Sequence, residues 1–347
     1  MTGSPLGVAV VGVGYWGPNL IRNFLGHPAT DLQRVCDLAV HHARTVVGGR
    51  SEVQVTDSLD DVLNDDAVDA VAIATPPSSH HEIGMRCLEA GKHILVEKPL
   101  AMSSKHALEM VEMAERHELV LMCDHTFCYT PAVKAIRELV RSGSLGDIQY
   151  IDSIRVNLGL VQSDVDVLWD LAPHDLSIMD SILPDDCFPI EVAAHGADPI
   201  GAGQSCVGYL TIPMNTGAIA HVTVSWLSPS KVRQTIVSGS KKMIMWDDMK
   251  PYQRLAVFDW GVDIGPPADD DERERLMVNY RRGDMMSPAL PETVEALHFV
   301  VEEFSDAIRE HRGALTDGRA GLRMLEILEA ANVSLQARGV LVPIEHR

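Results

Sequence analysis

A lysine at the end of an apolar run is the first residue whose position suggests chemistry. Lys98 follows His93-Ile94-Leu95-Val96-Glu97 and precedes Pro99. The aliphatic run is typical of a strand buried in a parallel sheet, and proline ends strand pairing. Because open α/β sheets bind ligands at the carboxyl ends of their strands, the pattern favours Lys98 as a site residue. The alternative is an ordinary lysine in a solvated loop.

A second candidate group is an acid and a histidine one helical turn apart. Asp170 and His174 lie in a segment predicted to be helical from about Val167. Imidazole titrates near neutral pH and therefore suits proton transfer. Two ordinary explanations stay open: His174 as a hydrogen-bonded helix residue, and Asp170 as an early-helix acid favoured by the helix dipole.

A glycine pattern near the start of the chain predicts dinucleotide binding. Gly12, Gly14 and Gly17 form G-x-G-x-x-G between an apolar β-run and a helix, which is the context that the motif requires. Asp37 ends the next strand, where a carboxylate accepts hydrogen bonds from an adenosine ribose. A carboxylate there would repel a 2′-phosphate, so we expect NAD, with NADP as the alternative cofactor. Asp37 could instead be a helix N-cap.

Composition narrows the class of protein. The chain has 347 residues, 46% of them hydrophobic, and a net charge of −20, which predicts a globular, two-domain protein and disfavours nucleic acid and anionic membranes as partners. The sequence shows neither a membrane-length apolar run nor a signal peptide, so a cytoplasmic location is expected. The six cysteines contain no Cys-x-x-Cys pair, and we expect reduced thiols and no metal site.

The elements that must position these residues divide into two domains. Six apolar β-runs alternating with helices predict a doubly wound, parallel Rossmann sheet in residues 1–125. Residues 126–347 predict an α+β domain for substrate binding and oligomerisation, with strands at 147–158, 190–197, 205–212, 217–227, 232–239 and 242–247 in an open, mostly antiparallel sheet. Two closing helices are predicted at about 292–310 and 317–337. The acidic stretch at 269–272 is expected to be a solvated loop.

Four motifs occur in one order along the chain: Gly12-x-Gly14-x-x-Gly17, Ala74-Thr75-Pro76-Pro77, Glu97-Lys98-Pro99 and Asp170-x-x-x-His174. Together they resemble the Gfo/Idh/MocA oxidoreductase family, over nearly the whole chain. Further stretches, such as 125–127, 157–159 and 169–175, resemble the branch of UDP-N-acetylglucosaminuronate 3-dehydrogenases and related sugar 3-dehydrogenases and ketoreductases. The resemblance implies a Rossmann domain followed by an α+β domain whose open sheet forms homodimers or homotetramers.

The resemblance also implies roles for individual residues. Lys98 would contact the reacting oxygen, His174 would be its acid/base partner, and Asp170 would orient that pair or the substrate. Which of Lys98 and His174 abstracts the proton is left open. The cofactor-binding residues would be Gly12, Gly14, Tyr15, Trp16, Gly17, Asp37, Thr75, Pro76, His80, Glu97 and Lys98. The candidates for the sugar site are His125, Tyr129, Arg155, Asn157 and Gln162, with Asp170 and His174.

Three functions are compatible with these patterns. The first is an NAD-dependent oxidoreductase that transfers a hydride between nicotinamide and a sugar hydroxyl or ketone, at C3 of a nucleotide-linked sugar. The second keeps this chemistry on an unactivated sugar, aminosugar or cyclitol. The third is a non-catalytic sensor that binds a dinucleotide and a protein. The presence of Lys98 together with Asp170 and His174 argues against the sensor, which needs none of them.

Overall fold

The computed structural model describes residues 4–162, 165–250, 252–265, 277–291 and 294–346. Clustering of contacts divides the chain into two compact units. Unit 1 comprises residues 1–130, 293–329 and 346–347, and unit 2 comprises residues 131–292 and 330–345. The predicted acidic loop at 269–272 lies outside the described residues. Within the described ranges, no helix has both the length and the apolar content that a membrane span requires.

Unit 1 is built on a parallel sheet of six strands. They are β1 (Leu6–Val11), β2 (Thr30–Cys36), β3 (Gln54–Thr56), β4 (Ala70–Ile73), β5 (His93–Glu97) and β6 (Leu121–Asp124), in the spatial order β3-β2-β1-β4-β5-β6. Every neighbouring pair is parallel. This is the doubly wound order of a Rossmann domain, so the prediction of its fold is confirmed.

Helices connect and cover this sheet. They are α1 (Gly17–Gly26), α2 (Val40–Val47), α3 (Leu59–Leu63), α4 (His80–Glu89) and α5 (Ser104–Arg116), with α6 (Pro131–Arg141), α7 (Val167–Ile182), α8 (Ala296–Glu310) and α9 (Gly318–Gln336) later in the chain. The motif glycines end β1 and begin α1, as the sequence predicts. Strand β5 is buried at Ile94, Leu95 and Val96, which explains its unbroken aliphatic run.

The observed division differs from the predicted boundary at residue 125, because residues 126–130 and 293–329 cluster with unit 1. The physical reason is the apolar stripe of α8. Val300, Phe304 and Ile308 belong to the same core cluster as Leu20 and Phe24 of α1. The segment after α8 also joins the β6 edge of the sheet, where the Cys123 amide donates to the Thr316 carbonyl at 2.8 Å.

Unit 2 is built on a sheet of nine strands in the order β14-β13-β12-β11-β7-β10-β9-β8-β15. The strands are β7 (Ile148–Leu158), β8 (Glu191–Ala197), β9 (Val207–Pro213), β10 (Ile219–Ser225), β11 (Leu227–Gly239), β12 (Met243–Asp247), β13 (Leu255–Gly265), β14 (Met277–Met286) and β15 (Val342–Pro343). Among the described strand pairs of this second sheet, β7 and β10 alone run parallel. The prediction of a mostly antiparallel sheet is confirmed, whereas β13 and β14 were not predicted.

Candidate functional site

The three glycines of the β1–α1 turn meet different steric demands. Gly12 has φ +99°, and a Cβ on it would lie 2.6 Å from the Ala74 carbonyl oxygen. A Cβ on Gly17 would lie 2.1 Å from the carbonyl oxygen of Gly12. A Cβ on Gly14, by contrast, would meet no heavy atom of the described residues within 4 Å, so its bare backbone borders open space. Backbone packing therefore explains Gly12 and Gly17, while Gly14 leaves room for a ligand beside the turn.

Asp37 ties the glycine turn to the second strand. Its Oδ2 accepts a hydrogen bond from the Val13 amide at 2.7 Å, and its Oδ1 accepts one from the Ala39 amide at 2.7 Å. Each carboxylate oxygen has a second lone pair, and the side chain is half-buried rather than enclosed. The glycine turn would therefore hold a pyrophosphate, and the Asp37 carboxylate at the edge of this turn would hold an adenosine ribose. The arrangement fits a dinucleotide.

The two aromatic residues of the turn occupy different positions. Tyr15 is 93% exposed, which is compatible with its predicted contact to a bound cofactor. The indole Nε1 of Trp16 donates to Oδ2 of Asp124 at 3.3 Å, so Trp16 links the turn to the end of β6. This link brings the glycine turn and the strand ends beside Lys98 into one connected group.

His80 lies in the interior of unit 1. Its side chain has no exposed surface, and its Nδ1 and Nε2 each lie 2.9 Å from a carbonyl oxygen, of Pro99 and Thr75 respectively. Burial lowers the pKa of the imidazole, although both carbonyls act in the opposite direction. The ring holds together the two segments that carry Thr75 and Lys98, and its predicted contact with the cofactor stays a prediction.

Lys98 directly follows Glu97, a half-buried acid whose neighbour across the sheet is the buried Asp124. Glu97 and Asp124 are register neighbours at the carboxyl ends of β5 and β6. Burial, followed by the charge of Asp124, raises the pKa of Glu97 well above its ordinary value. Asp124 accepts hydrogen bonds from Trp16 at 3.3 Å and from the Thr126 hydroxyl at 2.8 Å, which favour its anion. Burial nevertheless raises the pKa of Asp124 as well, so burial favours the protonated form of both acids, and the charge of Asp124 adds to this effect at Glu97.

His125 follows this acid pair and is 2% exposed. Among the described residues, neither of its ring nitrogens has a hydrogen-bond partner. Burial, and secondarily the charge of Lys98, lowers its pKa to about 4, so the ring is neutral near pH 7. Buried polar groups normally find partners, and an unsatisfied one close to a strand-end lysine is what a ligand-binding residue requires. Its predicted role in substrate binding is compatible with this position.

Tyr129 makes hydrogen bonds within unit 1. Its hydroxyl lies 2.9 Å from the Thr316 hydroxyl and accepts from the Thr316 amide at 3.3 Å. Thr316 in turn donates to the Cys123 carbonyl at 2.7 Å. Burial raises the pKa of Tyr129 well above its ordinary value. This chain of bonds anchors the segment after α8 to β6, and the predicted contact of Tyr129 with the sugar stays a prediction.

In unit 2, helix α7 carries the predicted acid and histidine. Asp166 caps its first turn by accepting from the Leu168 and Trp169 amides, both at 3.0 Å. Asp170 and His174 are four residues apart and both half-buried, so they share one accessible helix face. The buried Trp226 donates from its indole nitrogen to Oδ2 of Asp170 at 3.0 Å. Asp170 is thus held in a fixed orientation.

Arg155, which was predicted to bind substrate, lies in a buried ion pair with Asp175. Its guanidinium donates to both oxygens of Asp175, from Nε at 2.7 Å and from the terminal nitrogen Nη2 at 3.1 Å. The two side chains are 5% and 3% exposed. Ser153 adds a third hydrogen bond to the same carboxylate at 2.7 Å. The buried pair gives Arg155 a role in the stability of unit 2, and its predicted contact with substrate stays a prediction.

Asn157, near the end of β7, and Gln162, on the segment that follows this strand, remain accessible. Both are half-buried, and the backbone oxygen of Gln162 accepts a hydrogen bond from the Gln204 side chain. Sequence reasoning missed Asp124, Asp175 and Trp226. Asp124 could have been found by the strand-end rule that identified Lys98, because it ends the neighbouring strand. No sequence signal pointed to Trp226.

Two family models match the chain. Residues 6–125 match the oxidoreductase family with an NAD-binding Rossmann fold, Gfo/Idh/MocA, and residues 133–245 match the Gfo/Idh/MocA C-terminal domain. A UDP-N-acetylglucosamine 3-dehydrogenase of Acidithiobacillus ferrooxidans is 27% identical over 338 residues, covering 94% of this chain and 96% of that protein.

Solved structures share the fold. The UDP-N-acetylglucosamine 3-dehydrogenase of A. ferrooxidans superimposes with a TM-score of 0.77 at 24% identity, covering 96% of this chain and 98% of that one. A levoglucosan dehydrogenase in complex with NADH and L-sorbose superimposes with a TM-score of 0.79 at 18% identity, covering 99% of this chain and all of that one, 100%. At these identities the likeness shows the fold alone.

Proposed function

The chain belongs to the Gfo/Idh/MocA oxidoreductase family, and from this premise we propose that it transfers a hydride between NAD and a sugar ring carbon. The single observation that carries the proposal is the set of groups at the ends of β5 and β6. Lys98 stands there with Glu97 and Asp124, two acids whose pKa values are raised by burial, and a buried His125 whose ring nitrogens meet no partner in the described ranges. A sensor has no use for such proton-handling groups.

The reaction needs two acceptors, one for a hydride and one for a proton. Bound NAD supplies the hydride acceptor. Lys98 is assigned to the hydroxyl oxygen of the substrate, where its amine takes the proton during oxidation and returns it during reduction. His174 is assigned as the second acid/base group, and Asp170, held by Trp226, as the residue that orients it or the substrate. Positioned acid/base groups contribute on the order of 10² to 10⁴ in rate.

The choice of NAD over NADP follows from Asp37. Both of its oxygens already accept amide hydrogen bonds that fix the carboxylate at the end of β2. A 2′-phosphate at this place would meet a negative charge and would have no donor on Asp37. NADP is the alternative outcome of the binding experiment, in which both cofactors are titrated against the same preparation.

For the substrate we propose C3 of a nucleotide-linked sugar. The support is the similarity over almost the full length to a UDP-N-acetylglucosamine 3-dehydrogenase. An unactivated sugar, aminosugar or cyclitol is the second candidate, which the fold shared with a levoglucosan dehydrogenase supports. The discriminating experiment measures NADH formation at 340 nm with UDP- and dTDP-sugars alongside free sugars and inositols. Turnover of free sugars alone would reject the nucleotide-sugar proposal.

The assignment of Lys98 is tested by replacing it with alanine. We expect turnover to fall by about 10² to 10⁴ while NAD affinity stays within a few fold, because the amine acts on the substrate oxygen. The exposed Lys105 on α5 provides the matched control, and its replacement by alanine leaves turnover unchanged. Normal turnover by Lys98→Ala would refute the assignment.

We also propose that the protein is a homodimer or homotetramer in the cytoplasm. The support is the set of large apolar side chains exposed at the β14 end of the second sheet, including Trp260, Val262, Tyr280 and Met285. Apolar groups clustered in this way favour burial against another chain. Light scattering after size exclusion gives the mass, and a monomer at micromolar concentration would contradict the proposal.

A further inference from the structure

Two histidines and a glutamate meet on neighbouring helices of unit 1. His81 lies on α4, and His106 and Glu109 lie on α5. One potential ligand atom from each residue lies within 4.8 Å of the other two. The His81 and His106 rings are stacked at 4.2 Å with an interplanar angle of 15°, and Nε2 of His81 lies 2.8 Å from Oε2 of Glu109. Neither the dinucleotide turn nor the strand ends include these residues.

We propose that His81, His106 and Glu109 bind a divalent transition-metal ion, of the class of Zn²⁺, Ni²⁺ or Co²⁺. Two imidazoles and one carboxylate are the donors that such borderline ions prefer. The side chains of His81 and Glu109 are 27% and 42% exposed, so water can complete the coordination shell. The site would join α4 to α5 and has no part in hydride transfer.

The contact between His81 and Glu109 supports a metal site in addition to the proximity of the three residues. Although the two atoms are 2.8 Å apart, Nε2 is enclosed and has no aligned hydrogen-bond partner within the described part of the chain. Ligand atoms at about 2.0–2.1 Å from one ion lie about 2.9 Å apart when they subtend a right angle. The observed separation of 2.8 Å is close to this value, so both atoms are placed where one ion could contact them.

The surrounding structure holds the donors in place before any ion binds. His106 and Glu109 are three residues apart and therefore on one face of α5. The first turn of α5 is fixed by Ser103, whose hydroxyl accepts from the His106 amide at 3.2 Å. It is fixed again by Glu329, which accepts from the Ser104 amide at 2.7 Å and its hydroxyl at 2.6 Å. Preorganised ligands lose less conformational entropy on binding.

Helix geometry separates this site from the interior. His80 precedes His81 on α4 and points inward, with no exposed surface and both nitrogens beside carbonyl oxygens. His81 is turned about 100° from it along the helix and faces α5. The net charge of −20 also favours the approach of cations to this surface.

The test uses the full chain without a histidine tag, stripped with EDTA and titrated with ZnCl₂ or NiCl₂ by calorimetry. We expect one ion per chain. His106→Ala and Glu109→Gln should each lower the affinity at least tenfold, because each removes a ligand. The exposed His117 at the end of the same helix is the matched control, and His117→Ala should bind as the parent chain does. Circular dichroism and NADH binding verify that the variants are folded.

Cobalt provides an independent readout of the ligands. Bound Co²⁺ should show weak visible absorption bands of a nitrogen and oxygen shell, and these bands should disappear in His81→Ala. An intense thiolate charge-transfer band would place the ion at a cysteine and overturn the proposal. Absence of binding by the parent chain, or equal affinity in His106→Ala, would show an ordinary ion pair beside stacked rings, with no metal site.

Discussion

Removing the guanidinium of Arg155 tests whether this residue serves stability or substrate binding. In Arg155→Ala the Asp175 carboxylate, 3% exposed, loses hydrogen bonds of 2.7 and 3.1 Å and keeps only the one from Ser153. Leaving one member of a buried ion pair without its partner costs about 3–5 kcal/mol. Since whole domains are stable by about 5–15 kcal/mol, this loss is a large part of the total.

The assay is urea denaturation followed by tryptophan fluorescence, because Trp226 and Trp246 are buried in the same unit. The double variant Arg155→Met/Asp175→Leu is the control, since it removes both charges of the pair together. We expect it to regain most of the free energy of unfolding that Arg155→Ala loses. The KM for the sugar, measured below the unfolding transition, should change less than threefold in either variant.

The opposite pattern would refute this account of Arg155. If Arg155→Ala lowered the free energy of unfolding by less than about 1 kcal/mol and raised KM tenfold or more, the guanidinium would be a substrate ligand after all. A conservative Arg155→Lys variant helps to separate the two cases. Lysine retains the charge but cannot make the two parallel bonds to Asp175, so it should stay destabilised.

Two further outcomes follow from single side chains. His125 is neutral when folded, with a pKa of about 4 against an ordinary value of 6.5, so the unfolded chain binds more protons and stability falls as pH drops through this window. Between pH 7.5 and 5 the free energy of unfolding should fall by roughly 2 kcal/mol because of His125. In urea titrations the His125→Asn variant should lack this fall, whereas the control His117→Asn should retain it. An equal dependence of the free energy of unfolding on pH in both variants would contradict the burial of His125. The Asp37→Asn variant keeps an acceptor oxygen but removes the negative charge. The ratio of NADP to NAD affinity, measured by fluorescence titration, should therefore rise about tenfold (~1.4 kcal/mol). An unchanged ratio would show that Asp37 does not select the cofactor.

The fold of unit 1 was predictable because its strands are short aliphatic runs ended by glycine, proline or charge. Strands β13 and β14 were not, since Arg281, Arg282 and Asp284 interrupt any alternation in β14. The placement of 293–329 was missed for a different reason. The apolar stripe of α8 predicts that the helix packs against a core, but it does not predict which of the two units provides that core.

The site shows where local patterns stop being informative. Arg155 lies on β7, where Ile151, Ser153 and Arg155 form the buried face. The opposite face carries Ile154 and Val156. Because each face of β7 includes apolar residues, the sequence pattern does not identify which face is buried. Arg155 is paired with Asp175, which lies twenty residues later on α7. No periodicity in the sequence links an arginine on a strand with an acid on a helix. The His81, His106 and Glu109 cluster was missed similarly, because its members come from two helices.

Burial at the end of β5 and β6 sets the charge around Lys98. It raises the pKa of Glu97, which favours the protonated acid, and lowers that of His125 to about 4, so the imidazole is neutral near pH 7. Burial also raises the pKa of Asp124, while hydrogen bonds from Trp16 and Thr126 act in the opposite direction. In such buried surroundings electrostatic interactions are stronger than in water. Because Trp16 belongs to the glycine turn and donates to Asp124 at 3.3 Å, the turn and the acid pair at the ends of β5 and β6 are joined by one hydrogen bond.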